Sequence, residues 1–507
     1  MEHRPYIIVH NGSDILSFEN KGTLNDNLKG KSLSEIFERR EFNENWIVLV
    51  TQEYQSRVNE FLSQVNLSNR VQIAGLGFSK KNRNIRSFGY VEDSPFINAD
   101  SASKYPTWLI SGDLVMFHSS LFNCIPKDFF QERSFKYNIL SLAKLLRTQG
   151  IICTQYPIQN QEEGSLGDLS VNDLYLFVSE HFKKKWIFLL LISHVIYDHR
   201  VPLYAFAKAL FLKLRKCNVD VFSLQNVHNI DELSILEYDV IIPTMGRSTY
   251  LENVLDDLNN QTITANKIII YEQNPKTNSI SDLDFLQKKD YKFNIEHIFT
   301  HQTGACNARN KAISLSVAEW VLLFDDDVRI DTDFSSEVAK FLDNTTFKCV
   351  TFACLQQGEK ETMKAYKQWE SFGSGCSIVH RDVLEKCSFD MALEHGYGED
   401  VDYGMQVRRA GYDVIYAPQI QISHLKAPMG GFREKHLFPW QDERIKPKPS
   451  PQIMYHRTKN YTTEQLKGYK LVLFFKTFGT FKTKNPFTHF KRFQEAWNVS
   501  KKWASQL

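Results

Sequence analysis

Between residues 238 and 416 short apolar runs alternate with amphipathic stretches. Asp239, Val240, Ile241, Ile242 and Pro243 form a run stopped by proline, the pattern of a buried parallel strand. Across 249–260, Leu251, Val254, Leu255 and Leu258 fall on one helical face. Residues 267–271 form a second β-branched run, 307–317 read as a helix, and 320–324 as another buried strand. Residues 412–416 and 419–423 read as strands, with Pro418 between them. Strands alternating with helices predict an α/β fold with a mostly parallel sheet. Ligands of such sheets bind beyond the carboxyl ends of the strands. Residues 171–216 read as helical, and their most apolar run, 186–197, is interrupted by His194. That run is shorter than the roughly 20 residues of a membrane span, so no transmembrane helix is expected.

The polar residues after the strands carry the chemistry. Thr244 and Arg247 follow the first strand, Glu272 the second, and Asp325, Asp326 and Asp327 the third. Three adjacent carboxylates repel one another, the more so when buried. A bound cation relieves this, and oxygen ligands favour Mg²⁺ or Mn²⁺. The competing reading is a solvated turn with an Asp cap. A second acidic cluster, Glu399, Asp400 and Asp402, falls where a glycine-containing loop enters a helix ended by Gly411. A helix N-terminus favours the carboxylate form that a general base needs, though capping alone also accounts for Asp400.

Taken together, these residues resemble the family 2 glycosyltransferases of the GT-A fold. The resemblance covers about residues 236–430 and follows one order: Ile242, Pro243 and Thr244; Glu272; Gly304 through Arg309 and Asn310; the Asp triplet; Gly373, Ser374 and Gly375; Glu399 and Asp400; His424. It implies a Rossmann-like mixed sheet with flanking helices and transfer of a sugar, with inversion, from a nucleotide-diphosphate donor. Pro243, Thr244 and Glu272 would hold the donor nucleoside, and Arg247 is a further donor-binding candidate. Arg309 and Asn310, opening a helix, would meet the nucleotide. Asp325 and Asp327 would form a DxD metal site. Gly375 would leave room for the donor sugar, and Asp400 would be the base, with Glu399 orienting the acceptor. His424 is either a metal ligand or structural, and Trp369 either stacks on a sugar or belongs to the core. Met429 through Arg433, with Lys435, reads either as a lid over the diphosphate or as plain loop.

The first half holds a fainter echo. Trp46 through Glu53 aligns with Trp320 through Asp327 at an offset of 274, Ser111 and Gly112 with Ser374 and Gly375 at 263, and Leu146 through Pro157 with Val407 through Pro418 at 261. Falling offsets are what a duplication with small gaps leaves. Thr51, Gln52 and Glu53 keep one carboxylate where the second copy has three, and Asn138 and Ile139 stand in for Glu399 and Asp400. The expected organisation is a degenerate, non-catalytic GT-A-like α/β domain (1–165), with an unrelated α/β domain of chance similarity as the alternative, a helical linker (166–235), the catalytic domain (236–430) and a basic aromatic tail (431–507).

Composition adjusts this picture in three places. In a chain of 507 residues, 61 Lys and Arg against 59 Asp and Glu give a net charge of +2, which does not suggest nucleic acid. Eight scattered cysteines with no CxxC, and no leader at the start, point to a reducing cytoplasm. The charge is uneven: residues 457–507 carry 11 Lys and Arg against two Glu. Interleaved with Phe and Trp, they suit anionic lipid at the inner face of the plasma membrane, or a lipid-linked glycan acceptor. A helix with a solvated basic face is the plainer reading. The family resemblance implies cell-surface polysaccharide or glycolipid assembly. Two rivals are a sugar nucleotidyltransferase, disfavoured by the single glycine between Pro243 and Arg247, and a non-catalytic carbohydrate-binding or scaffold protein, disfavoured by the intact acidic sets.

Overall fold

The computed structural model describes residues 4–20, 22–39, 42–79, 81–100, 102–158, 169–225, 235–427, 436–478 and 485–507. The chain divides into two compact units, residues 1–227 with 461–477, and 228–460 with 478–507. No described helix is long and apolar enough to cross a membrane.

Unit 1 is built on β1 (Tyr6–His10), β2 (Ile15–Asn20), β3 (Thr23–Leu24), β4 (Trp46–Thr51), β5 (Gln72–Gly77), β6 (Tyr105–Pro106), β7 (Ile110–His118) and β8 (Ile152–Gln155). They form one sheet in the order β3-β2-β1-β4-β7-β5-β8-β6. Its helices include α1 (Phe135–Arg147), α2 (Val171–His181), α3 (Lys185–Asp198) and α4 (Leu203–Leu210). β4, β5 and β7 are almost wholly buried, the environment of strands covered on both faces.

Unit 2 holds β9 (Tyr238–Thr244), β10 (Lys267–Gln273), β11 (Asn294–Thr300), β12 (Trp320–Phe324), β13 (Val328–Arg329), β14 (Cys349–Gln356), β15 (Lys367–Gln368), β16 (Cys376–His380) and β17 (Ile415–His424). The sheet order is β11-β10-β9-β12-β16-β14-β17-β13, with β15 also on β17. The expected mixed α/β sheet is observed: β9, β10, β11 and β12 are parallel, whereas β16 runs antiparallel to β12 and β14. Its helices include α5 (Ser248–Asn259), α6 (Ala305–Leu315), α7 (Glu399–Arg409) and α8 (Pro451–Asn460). Leu251, Val254, Leu255 and Leu258 of α5 are buried, as their spacing requires. The two predicted strands around Pro418 are one strand, β17. Its ladder with β14 shifts register between Phe352 and Ala353, which absorbs the proline.

The tail divides between the units: α9 (Thr463–Lys476) belongs to unit 1 and α10 (Pro486–Ala504) to unit 2. α9 carries a capping box at Thr462 and Gln465.

The two sheets share one pattern over six strands. β1-β4-β7-β5-β8-β6 and β9-β12-β16-β14-β17-β15 have the same order and the same relative directions. Trp46 faces His118 across its ladder as Trp320 faces His380, with edge-on rings 5.2 and 4.9 Å apart. Both histidines cap the following helix, accepting from the backbone N–H two residues on. The ladders correct the sequence alignment by one residue. Leu114 faces Val50 as Cys376 faces Phe324, so Asp113, not Gly112, stands where Gly375 does. A one-residue slip reverses every side chain in a strand, so the ladder decides. The patterns diverge at the first strands, where β1 and β2 form an antiparallel hairpin and β9 and β10 are parallel.

Candidate active site

β9 and β12 run parallel, so their carboxyl ends emerge side by side. Thr244 ends the first and the Asp triplet follows the second. Asp326 and Asp327 lie in a turn between β12 and β13, and Asp326 has partners of its own. Asp326 turns toward β9 and accepts from Thr244 Oγ1 at 2.7 Å and from Arg247 Nη1 at 2.6 Å. Burial nonetheless pushes its carboxyl up to about 6, against the pull of Arg247.

Asp325 and Asp327 point the other way, and the far end of β17 brings His424 to them through the Val328–His424 pairing. One ligand atom from each of Asp325, Asp327 and His424 lies within 4.8 Å of the others. Asp327 Oδ1 is 3.3 Å from His424 Nε2, and Asp327 Oδ2 accepts from the Ala427 N–H at 2.9 Å. Burial works against the charged form of Asp327. His424, the Ala427 amide and Arg247 outweigh it and hold the carboxyl below its usual range. The same hydrogen bond holds the His424 imidazole above its usual range. Two carboxylates and one imidazole fit Mn²⁺ or Mg²⁺, with positions left for outside oxygens. A bound cation would take the place of the His424 proton beside Asp327.

Gly375 belongs to this cluster for a reason the sequence did not suggest. A Cβ there would lie 2.1 Å from Asp325 Oδ2, so the missing side chain admits a carboxylate of the protein itself, where room for a donor sugar was expected. The Asp325 N–H also donates to the Gly375 carbonyl at 3.2 Å. Gly375→Ala is expected to displace Asp325 and weaken Mn²⁺ binding by about tenfold or more. Calorimetric titration with Mn²⁺ checks this.

The second acidic pair begins α7 after Gly398, whose φ is +116°. Glu399 and Asp400 face the same cavity as Asp325 and His424, a space of about 800 Å³, large enough for a nucleotide-diphosphate sugar. Asp400 Oδ1 has no hydrogen-bond partner among the described residues, while Ser374 bonds the Asp400 carboxylate. Burial raises the Asp400 carboxyl above its usual range, opposed by Arg309 and Ser374. Burial, then the neighbouring Asp400 charge, pushes Glu399 up to about 7.

This has a measurable consequence. A carboxyl whose folded value exceeds its unfolded one holds its proton longer when folded, so stability falls as pH rises between the two values. Glu399→Gln removes that loss. It should leave stability unchanged near pH 4 and raise it by about 1–3 kcal/mol near pH 8, as denaturant titrations at the two pH values would show.

Arg309 sits between the acidic groups. Its Nη2 donates to Asp325 Oδ1 at 3.1 Å and its Nε to the Ser374 carbonyl at 3.3 Å. The helix end that was expected to meet an anion is otherwise engaged. Glu394 accepts from the Cys306 and Asn307 N–H groups at 3.0 and 2.7 Å, so a protein carboxylate caps α6. Gly304, at φ +134°, makes space for it, since a Cβ there would lie 2.3 Å from the Glu394 carboxyl carbon. Asn310 faces away and exchanges two hydrogen bonds with the Phe389 backbone.

The cavity thus gathers Pro243, Thr244, Arg247, Arg309, Asp325, Asp327, Gly375, Glu399, Asp400 and His424. Three candidates lie outside its lining. Asn310 is one. Glu272 is buried among Ser281, the Asp282 amide and His297, and these bonds overcome burial to bring its carboxyl down to about 2. Its neighbour Gln273 lines the cavity instead and bonds both polar groups of the Gly304 backbone. Trp369 stacks on Tyr416 at 4.6 Å and packs on the core of the unit. The proposed lid, Met429 through Arg433 with Lys435, lies outside the described residues.

Sequence reasoning missed what holds α7. Asp402, wholly buried, accepts from Gln406 on its own helix and from Lys459 and Asn460 of α8, at 2.6–3.0 Å. Lys459 also donates to Asp390. The signal was a buried-type acid inside an acidic cluster and a lysine counted only as part of a basic tail.

Residues 239–390 match the sequence model described as Glycosyl transferase family 2. No curated protein matches the chain significantly. Among solved structures, S. aureus TarS 1-349 in complex with UDP-GlcNAc is 15% identical, with 53% of this chain and 82% of that chain covered and a TM-score of 0.38. Mannosyltransferase PcManGT from Pyrobaculum calidifontis, in complex with GDP-Man and Mn2+, is 15% identical, with 56% and 88% covered and a TM-score of 0.33. Scores this low carry no function across. The family match spans the segment that bears Thr244, Arg309, the Asp triplet and Gly375, so this part of the C-terminal unit, built on a mixed α/β sheet, is similar to the family 2 glycosyltransferases.

Proposed function

We propose that unit 2 transfers a sugar from a nucleotide-diphosphate donor to an acceptor hydroxyl, with inversion at the anomeric carbon. One observation carries this reading. On the family 2 segment and just beyond it, a cation-type triad and a carboxylate with an unpartnered oxygen open into one cavity.

Asp325, Asp327 and His424 would hold a divalent cation, which when bound supplies positive charge to the leaving diphosphate. Arg247 pairs with Asp327 and Arg309 with Asp325 at the rim of this site. Asp400 receives the proton of the acceptor hydroxyl at Oδ1 as that oxygen attacks the anomeric carbon. Ser374 and Arg309 favour the carboxylate form of Asp400 and oppose the burial that raises its carboxyl. Glu399, protonated up to about 7, is placed to donate a hydrogen bond to the acceptor at lower pH. The acceptor, a glycan or lipid-linked glycan, is inferred from the family resemblance alone.

Unit 1 is proposed to be a non-transferring copy. At the position of Gly375 it has Asp113, paired with Lys136 at 2.6 Å. Asn138, at the place of Glu399, is spent on the Phe130 and Arg133 carbonyls and on Arg215. The test is incubation of the full chain with UDP- and GDP-sugars and Mn²⁺. Nucleoside diphosphate with free or transferred sugar supports the reading; turnover of pyrophosphate sinks it.

A further inference from the structure

Unit 1 carries a surface of a different kind, on α3, α4 and residues 211–216. α3 is apolar on nearly every side. Its inner face buries Ile187, Leu190, Ser193 and His194. Its outer face shows Phe188 at 50%, Val195 at 43% and Ile196 at 48% exposure. With Ile192 these fall at i, i+4, i+7 and i+8, one continuous helical stripe.

The stripe continues on α4, where Leu203 and Tyr204 are exposed and Ala205 and Ala209 face inward. Phe188 meets Phe206 edge-on at 5.2 Å, which makes the two helices one surface. Phe211, 88% exposed, and Leu214 extend it. Soluble proteins rarely leave so many large apolar side chains together in water.

The charges around this surface point to what covers it. Residues 183–216 contain eight Lys and Arg and a single acid, Asp198. Asp198 is engaged by Arg83 and Arg200. Lys183, Lys185, Lys208, Lys213 and Lys216 are all exposed. Protein–protein interfaces are depleted of lysine. Apolar helices edged by lysine instead suit the boundary between headgroups and acyl chains of an anionic bilayer. No described helix can span one.

We propose that this face of unit 1 docks on an anionic lipid surface. The outer side chains of α3, α4 and 211–214 enter the interface, and the lysines meet lipid phosphates. The inference uses residues remote in sequence from the cation triad and stands whether or not the transferase reading holds.

The test is flotation of the full chain with vesicles of phosphatidylcholine alone or mixed with phosphatidylglycerol. The expected result is binding to the mixed vesicles only, weakened by salt at about 0.5 M. Combined Tyr204→Ser, Phe211→Ser and Leu214→Ser should lower the bound fraction by about tenfold with the circular dichroism spectrum unchanged. Combined Lys208→Glu, Lys213→Glu and Lys216→Glu should abolish the preference for phosphatidylglycerol. Absence of wild-type binding to mixed vesicles, or undiminished binding by the serine variant, would overturn the proposal. So would a dimer that the serine substitutions dissociate without any vesicle binding, because a second copy would then be the occupant.

Discussion

Asp400→Asn should lower kcat by about 10²–10⁴-fold, the usual contribution of a positioned general base, while donor affinity stays close to wild type. The geometry supports such a separation. Asp400 lies at the start of α7, while the cation triad is held by β12 and β17. An amide keeps the shape and the bond from Ser374 but cannot take a proton. Misfolding is a poor alternative explanation for lost activity, because the wild-type carboxylate is itself disfavoured by burial. Above its raised value that charge costs stability, and the uncharged amide does not. Asp400→Asn should therefore be at least as stable as wild type near pH 8. Full transfer by a stable Asp400→Asn protein would remove Asp400 from the mechanism.

Asp327→Asn should cost several kcal/mol of transition-state stabilisation, about 10³-fold in kcat/KM, with the response to added Mn²⁺ lost as well. Asp327 has the densest set of partners in the triad: His424, the Ala427 amide and Arg247 all converge on it. The asparagine keeps the volume and can still accept from Ala427, so the unit should fold. It loses the charge that would hold a cation and that raises the His424 imidazole. Rates measured across a Mn²⁺ titration distinguish this from a structural defect. A structural lesion lowers activity at every concentration, whereas a ligand lesion flattens the dependence on metal.

The parallel core of unit 2 was legible because β9, β10 and β12 are buried and α5 is amphipathic, whereas the half-exposed β11 was not read as a strand. β12 followed by three Asp, and α5 with Leu251, Val254, Leu255 and Leu258, needed no tertiary information. The acidic cluster was legible for the same local reason. What escaped was everything settled by neighbours distant in sequence. Glu394 caps α6 from 88 residues away, and no local pattern distinguishes it from a surface acid. Gly375 was expected to leave room for a donor sugar, whereas a Cβ there would meet Asp325. Glu272 was expected after its strand but lies inside β10, where His297 on the neighbouring strand claims it. The repeated pattern showed in sequence only around Trp46, Ser111 and Leu146. The ladders extend it to six strands and move one alignment by a residue, since register is set by pairing.

The central claim is that the ends of β12 and β17 form a cation–diphosphate site. The direct measurement is calorimetric titration of the full chain with UDP and with GDP, with and without Mn²⁺, repeated on Asp327→Asn. One of the two nucleotides is predicted to bind wild type at least about tenfold more tightly with Mn²⁺ present, and this gain should vanish in the variant. Nucleotide binding that ignores Mn²⁺, or a gain that persists in Asp327→Asn, would contradict it.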